Sequence, residues 1–274
     1  MSRGRALGLL VFPIGEIALF SLACFFVSSR PGWAAACFLG ASLVHTFTIH
    51  VFVHETLHYS DRRPLPRILD FPLTAIAGLP FDAYRLHHHN HHRFANGPED
   101  YSCTWRMTPE GPAPVGLVRY ALGWPLQAFR AGRHLRSQTP AGPEEKAFRR
   151  TRLQKAAIAA LVLLLGVFSW KWALMYVVLI YLGWALVSVH NYGQHPPEAR
   201  ADVPSFRSSW YNRLLFNNGL HYEHHAEPSK AWYELESDPR AARIGQSHLT
   251  AGLLRGVKDL FRLRHAGRAA VGGS

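Results

Sequence analysis

Apolar residues fall into four long runs, Leu7–Val27, Trp33–Val53, Ala156–Trp170 and Trp172–Val189, with polar sequence between and after them. A helix needs about 20 apolar residues to cross a bilayer, and the first two runs have that length. The other two are shorter and meet at Ser169-Trp170-Lys171-Trp172, which predicts a tight helical hairpin with interfacial Trp anchors; one long helix is the alternative. The first run follows Met-Ser-Arg-Gly-Arg and carries Glu16, and no small-residue cleavage site precedes the second, so it reads as a membrane helix and not as a cleaved leader. The pattern predicts an all-α integral membrane protein with transmembrane segments at 6–28, 33–53, 156–170 and 172–190.

The intervening sequence predicts a helical cap. Phe71–Phe81 is apolar but short and lies among prolines, so it reads as re-entrant or interfacial. Met107–Val115 and Gln138–Pro143 read as Pro/Gly-rich loops, and Pro143-Glu144-Glu145 opens a helix with acidic residues at its positive end. Beyond the last run, Leu249, Leu253, Leu254, Val257, Leu260 and Phe261 recur at helical spacing among basic residues: a helix on the membrane surface, or one packed on its own domain. The expectation is one domain over 1–274, with 54–155 and 191–265 forming the cap and 266–274 a disordered tail.

Charge orients this arrangement. The net charge is +12, and of the 30 Lys and Arg only Arg30 and Lys171 lie in the short turns between apolar runs. Basic residues concentrated in the other loops follow the positive-inside rule, which puts the cap on the cytoplasmic face and argues against a nucleic-acid partner. Cys24 and Cys37 lie within apolar runs, and no disulfide is expected.

Histidine carries the chemistry. There are 17 in the chain, most of them in short clusters. His54 and His58 are one helical turn apart, and His50 lies a turn earlier, where an interior hydrogen bond is the expected role. In the run from His87 to His92, a step of about 100° per residue gathers His88, His91 and His92 on one face and leaves His87 and His89 outside it. The same H-x-x-H-H spacing returns at His221, His224 and His225. Asn191 and His195 share a face at the end of the fourth run, with His190 as a neighbour; Asn191 could hold a metal-bound water. Nine neutral imidazoles suit first-row transition metals and are too many for a single tetrahedral zinc. Glu55, Asp100 and Glu223 could accept the distal N–H of such imidazoles, or serve as ordinary structural acids. No haem, flavin, iron–sulfur or nucleotide-binding motif appears.

Three boxes in this order, His54-x-x-x-His58, His88-x-x-His91-His92 and His221-x-x-His224-His225, resemble the membrane fatty acid desaturase and hydroxylase superfamily, which includes alkane monooxygenases and carotenoid ketolases. Tyr84-Arg85, Asn96, Asp100, Asn217-Asn218-Gly219 and Pro228 resemble the family's flanks, and Asn191-x-x-x-His195 its additional site. The resemblance implies four membrane helices, the second and fourth extending into a cytosolic cap over two iron ions, with a lipid tunnel beneath. It implies O2-dependent oxidation of a lipid chain, with desaturation ahead of hydroxylation or carotenoid oxidation, and electrons from a separate ferredoxin- or cytochrome-type reductase system. The first box is closer to the alkane hydroxylase and ketolase style, which leaves the substrate open. His54-Glu55-Thr56-Leu57-His58 also reads H-E-x-x-H, the zinc protease signature, but that reading leaves both H-x-x-H-H trios without a role. A divalent-metal transporter would need more ionisable groups inside the spans than His45 and His50.

Overall fold

The computed structural model describes residues 7–62, 66–138, 143–197, 199–200 and 203–241; the expected surface helix at 249–261 and the 266–274 tail lie outside them. Helices α1 (Val11–Phe26) and α2 (Pro31–Phe47) form the first hairpin. The apolar run begins at Leu7, and Leu7 and Gly8 are helical, but a turn at residues 9–10 separates them from α1, which starts at Val11. Pro13 accounts for this, because a first-turn proline breaks no helical hydrogen bond whereas one deeper in a longer helix would. Ile14, Phe25, Leu39 and Leu43 point outward, more than half exposed, as an apolar surface facing lipid does.

Helix α2 continues past Phe47. Thr48–Val53 is π-helical and His54–Arg62 (α3) returns to α-geometry, so one rod runs through Pro31–Ser60. Its 30 residues rise about 45 Å against a hydrocarbon core of about 30 Å. The excess length carries His54 and His58 past the apolar part of the rod. The wider π turn also shifts the phase of α3 relative to α2, and the hydroxyls of Thr48 and Thr56 donate to the Val44 and Phe52 carbonyls at 3.1 and 2.7 Å beside the loosened turn.

Helices α4 (Asp70–Ala77), α5 (Phe81–Phe94), α6 (Leu117–Gln138), α7 (Pro143–Phe168) and α8 (Trp170–Gln194) complete the main body. Ser169, extended at φ −166° and ψ 128°, separates α7 from α8, so the hairpin forms and the single long helix does not. Its turn is tied to the first hairpin by Trp172 Nε1–H donating to the Cys24 carbonyl at 3.0 Å and by Lys171 Nζ donating to Ser28 Oγ at 3.5 Å. Both turns therefore lie at one end of the body. Three stretches, Pro31–Ser60, Arg150–Phe168 and Trp170–Gln194, are long and apolar enough to cross a membrane; α1 is shorter.

The run at Phe71–Phe81 resolves into α4, a left-handed Gly78 (φ 60°) and the start of α5. A Cβ on Gly78 would come within 2.3 Å of Ile180, so glycine is needed both for the turn and for its approach to α8. Tyr176 Oη and Trp184 Nε1 of α8 donate to the Ala75 and Ala77 carbonyls at 2.6 and 2.8 Å, satisfying groups the end of α4 leaves unpaired. Helix α5 is fixed to α7 by a two-pronged ion pair between Arg150 and Asp82, at 2.8 and 3.0 Å, and by Gln154.

One local expectation is corrected, and one element is new. Residues 107–115, read as a loop, belong largely to an antiparallel ribbon of β1 (Trp105–Thr108) and β2 (Gly111–Pro114), with Trp105 opposite Pro114 and Thr108 opposite Gly111. Pro112 and Pro114 conceal it in the sequence, yet a two-stranded ribbon is all edge and tolerates them. Helix α6, unassigned in the sequence reading, holds Pro125 in its interior and supplies buried Tyr120 and Trp124 to the core. That core, with Leu57, Phe81, Trp184 and Tyr192, lies where α3, α5, α6 and α8 meet. Two short helices, α9 (Ser209–Leu214) and α10 (His221–Ala226), close the same end.

Candidate metal centre

The histidine-bearing ends of α3, α5 and α8 converge on α10. Nine imidazoles form two adjoining groups: His54, His58, His88, His92 and His224 in one, His91, His195, His221 and His225 in the other. Within each group one ligand-capable nitrogen per ring lies within 4.8 Å of all the others. Neighbouring residues divide between the groups, so His91 and His92, and likewise His224 and His225, face different centres. A helical step of about 100° explains it: each H-x-x-H-H trio spans two directions and serves both groups, where the sequence reading had each trio pointing one way.

The donor spacing fits metal ions. Nε2 atoms approach at 2.9 Å for His58 and His88, 2.8 Å for His195 and His221, and 3.0 Å for His92 and His224. Two nitrogens bound to one ion at about 2.0–2.1 Å, on adjacent coordination positions, lie about 3 Å apart. Buried and lacking a hydrogen-bond partner, His225 Nε2 is a further available donor. Burial, reinforced by neighbouring rings, holds His88, His92, His195, His221, His224 and His225 well below the ordinary value of 6.5. They stand neutral at physiological pH, the state in which imidazole ligates.

Around these rings the three acids differ. Asp100 Oδ2 accepts from His91 Nδ1–H at 2.8 Å, fixing the ring so that Nε2 faces the second group. Burial works to raise the Asp100 carboxyl, but His91 and the Ser102 backbone N–H overcome it and hold the group below the usual carboxylate range. Glu223 is engaged instead by Ser205 Oγ, the Asp238 backbone N–H and Arg207. Glu55 accepts the Trp232 backbone N–H at 3.1 Å.

The remaining candidates fall outside both groups. His50 Nε2 bonds Gln194 Oε1 at 2.9 Å, the interior role expected of it. His190 pairs with Tyr211, His87 with Ser102 Oγ at 3.2 Å, and His89 is exposed. Asn191 donates to Tyr120 Oη at 2.7 Å and lines a small chamber, of about 40 Å³, beside His54, His88, His91 and His221.

Sequence reasoning missed Trp232. Fully buried, its indole stacks on His224 at 4.0 Å between ring centres and donates to His54 Nδ1 at 2.9 Å. An aromatic residue in a loop after the third box gives no periodic signal that could have revealed it.

Comparison with known families decides the identity at this point: residues 28–243 match the fatty acid desaturase family. The chain belongs to that family. No curated protein matches it. As a fatty acid desaturase family member it is an integral membrane oxidoreductase of the desaturase and hydroxylase type, acting on lipid, and its histidine clusters are metal-binding. The H-E-x-x-H pair thus sits among five imidazoles of a family oxidoreductase rather than in a protease.

Proposed function

We propose that the protein oxidises a hydrocarbon chain of a membrane lipid with O2 at two iron ions, and that the reaction is fatty acyl desaturation. Hydroxylation of an acyl or alkyl chain, or carotenoid oxidation, is the alternative the same site would serve. The observation that carries the reading is the pairing of a five-imidazole group with a four-imidazole group, side by side and largely buried.

In this reading His54, His58, His88, His92 and His224 hold one iron, and His91, His195, His221 and His225 the other, with Asn191 reaching it through a water. Bound iron supplies an oxidant strong enough for an unactivated C–H bond, which no side chain can provide. All-imidazole sites suit iron, and the absence of a thiolate or a cage of carboxylates argues against alternatives that need them. The protein's residues position and exclude. Asp100 fixes the His91 ring, Trp232 roofs His54 and His224, and buried Tyr84, Trp124 and Trp184 keep water from the chamber where the lipid carbon would lie. Electrons come from a separate ferredoxin- or cytochrome-type donor, since no motif in the chain would bind a second redox group.

We place four spans across the bilayer, with 54–155 and 191–265 as a cytosolic cap on a single domain. The positive-inside pattern supports this orientation, as does the rod of α2 and α3, which outreaches the hydrocarbon core on the histidine side. Expression with a generic reductase, followed by mass spectrometry of host lipids, tests the reaction. Loss of two hydrogens marks desaturation, gain of one oxygen marks hydroxylation, and an unaltered lipid profile counts against both.

A further inference from the structure

Helix α9 is short, yet its faces differ sharply in character. Tyr211, with Leu215 just beyond the helix, is buried against the protein. Trp210 and Leu214, one helical turn apart and so on one face, are 64% and 63% exposed. Ser209 and Arg213, also one turn apart, line an open recess of about 530 Å³ together with Asn212, Phe216, Asn217 and Tyr233. Neither the Ser209 hydroxyl nor the Arg213 guanidinium has a hydrogen-bond or ion-pair partner among the described residues, and no carboxylate is among those that line the recess.

The walls of the recess are fixed. The Asn212 side-chain amide donates to the Phe206 carbonyl and accepts the Gly219 N–H, each at 2.9 Å. Phe216 and Asn217 are left-handed, with φ 53° and 67°, a backbone that an aromatic residue adopts only under constraint. The Asn217 backbone N–H, donating to the Asn212 carbonyl at 2.7 Å, and its side-chain amide, donating to the Leu235 carbonyl at 3.2 Å, supply that constraint. The turn sets the Phe216 ring edge-on to Phe12 of α1, 6.1 Å between centres, and a Cβ on Gly8 would lie 3.3 Å from the same ring. The recess therefore stands beside the start of α1, where Leu7, Leu10 and Val11 are exposed as a lipid-facing surface is. Arg3 and Arg5 come just ahead of these residues in the sequence.

We propose that this recess binds the phosphate of an anionic phospholipid in the leaflet at the histidine-bearing end of the protein. Arg213 and Ser209 donate to the phosphate oxygens, and a guanidinium facing an anion makes the stronger, charge-assisted kind of hydrogen bond. Trp210 and Leu214 continue the apolar surface of α1 into the same leaflet, Trp being a residue that settles at the membrane–water interface. With no carboxylate in its lining, the recess offers nothing to the ammonium of a zwitterionic headgroup, so it selects anionic lipid. A bound headgroup ties α9 to the membrane surface, and with it the Asn217–Gly219 segment that leads into α10. The site lies apart from both groups of imidazoles, and it requires a membrane but not the proposed oxidation chemistry.

Competitive lipid retention tests it. The full chain, purified in detergent, is mixed with equal amounts of dioleoylphosphatidylglycerol and dioleoylphosphatidylcholine, and retained lipid is read by native mass spectrometry. The wild type should hold phosphatidylglycerol in preference to phosphatidylcholine. Arg213→Ala should cut that retention about fivefold, the worth of one cation at an anionic membrane surface. Arg213→Lys should keep most of it, Arg213→Glu should abolish the preference, and Ser209→Ala should weaken it by less than Arg213→Ala does. Because Arg213 has no partner to lose, Arg213→Ala and Arg213→Lys should unfold at the wild-type midpoint and carry the wild-type metal content. Equal retention of the two lipids by the wild type overturns the site, as does phosphatidylglycerol held undiminished by both Arg213→Ala and Arg213→Glu. Inorganic phosphate retained by the wild type as firmly as the lipid, and lost in Arg213→Ala, would mark a site for a free anion and overturn the membrane seat.

Discussion

His91 and His92 are consecutive, yet their rings, 6.0 Å apart and 73° between planes, belong to different groups of imidazoles. His92 joins His58, His88 and His224, while His91 joins His195, His221 and His225. Both groups thus draw on this one helix. Anything that turns α5 disturbs both at once, and the Arg150–Asp82 pair and Gln154 pin its first turn against such rotation.

Removing His224 takes a ring from the five-membered group and the stacking partner from Trp232. His224→Ala should abolish lipid oxidation and lower bound iron, read by product profiling and metal analysis. His89→Ala, on an exposed ring outside both groups, should retain most activity. The reverse outcome would overturn the assignment of the helix face.

Asp100→Asn tests support of a single ligand. The amide cannot replace the carboxylate that fixes His91 and also receives the Asn96 and Ser102 backbone N–H groups. Outer partners of this kind are worth about 10–100-fold in metal affinity. The expected result is loss of metal from the four-membered group ahead of the five-membered one, seen as partial iron occupancy on dialysis against a chelator.

Much of the site was legible because its residues come in short boxes, and the period of a helix says which rings can share a face. His54 with His58 and the two H-x-x-H-H trios needed only that period, and His195 needed the end of the fourth apolar run. The division between two centres was not legible. Whether His91 or His92 joins a given group depends on where α10 and the end of α8 dock, a tertiary fact. Trp232 escaped for the same reason, and α6 and the β-ribbon were hidden by prolines whose tolerance depends on their surroundings. Glu16 and His45, read only as scarce intramembrane polar groups, turn out to be partners at 2.9 Å.

That buried pair makes a packing prediction. A Cβ at Gly183 would lie 1.9 Å from Cδ2 of the His45 ring, which is fully buried and bonded through Nδ1 to Glu16. Gly183→Ala should therefore force α8 away from α2 and destabilise the protein by about 1–3 kcal/mol, measured as a lower unfolding midpoint in detergent. An unchanged midpoint would mean the helices do not pack this way.

Acid should weaken the metal-free protein. Burial holds six of the imidazoles neutral below 6.5 in the folded state, whereas the unfolded chain takes up protons near that value. Below it the unfolded state binds more protons, so stability falls as pH drops and these groups have no effect well above it. The unfolding midpoint of chelator-treated protein should fall between about pH 7.5 and about pH 5.5; a midpoint that rises on acidification contradicts the neutral cluster.

The central claim is two iron ions held by nine histidines, and quantifying metals in the protein purified from iron-replete cells tests it most directly. About two irons per chain, falling in His58→Ala and in His221→Ala, is the expected result. About one zinc with no iron would contradict it.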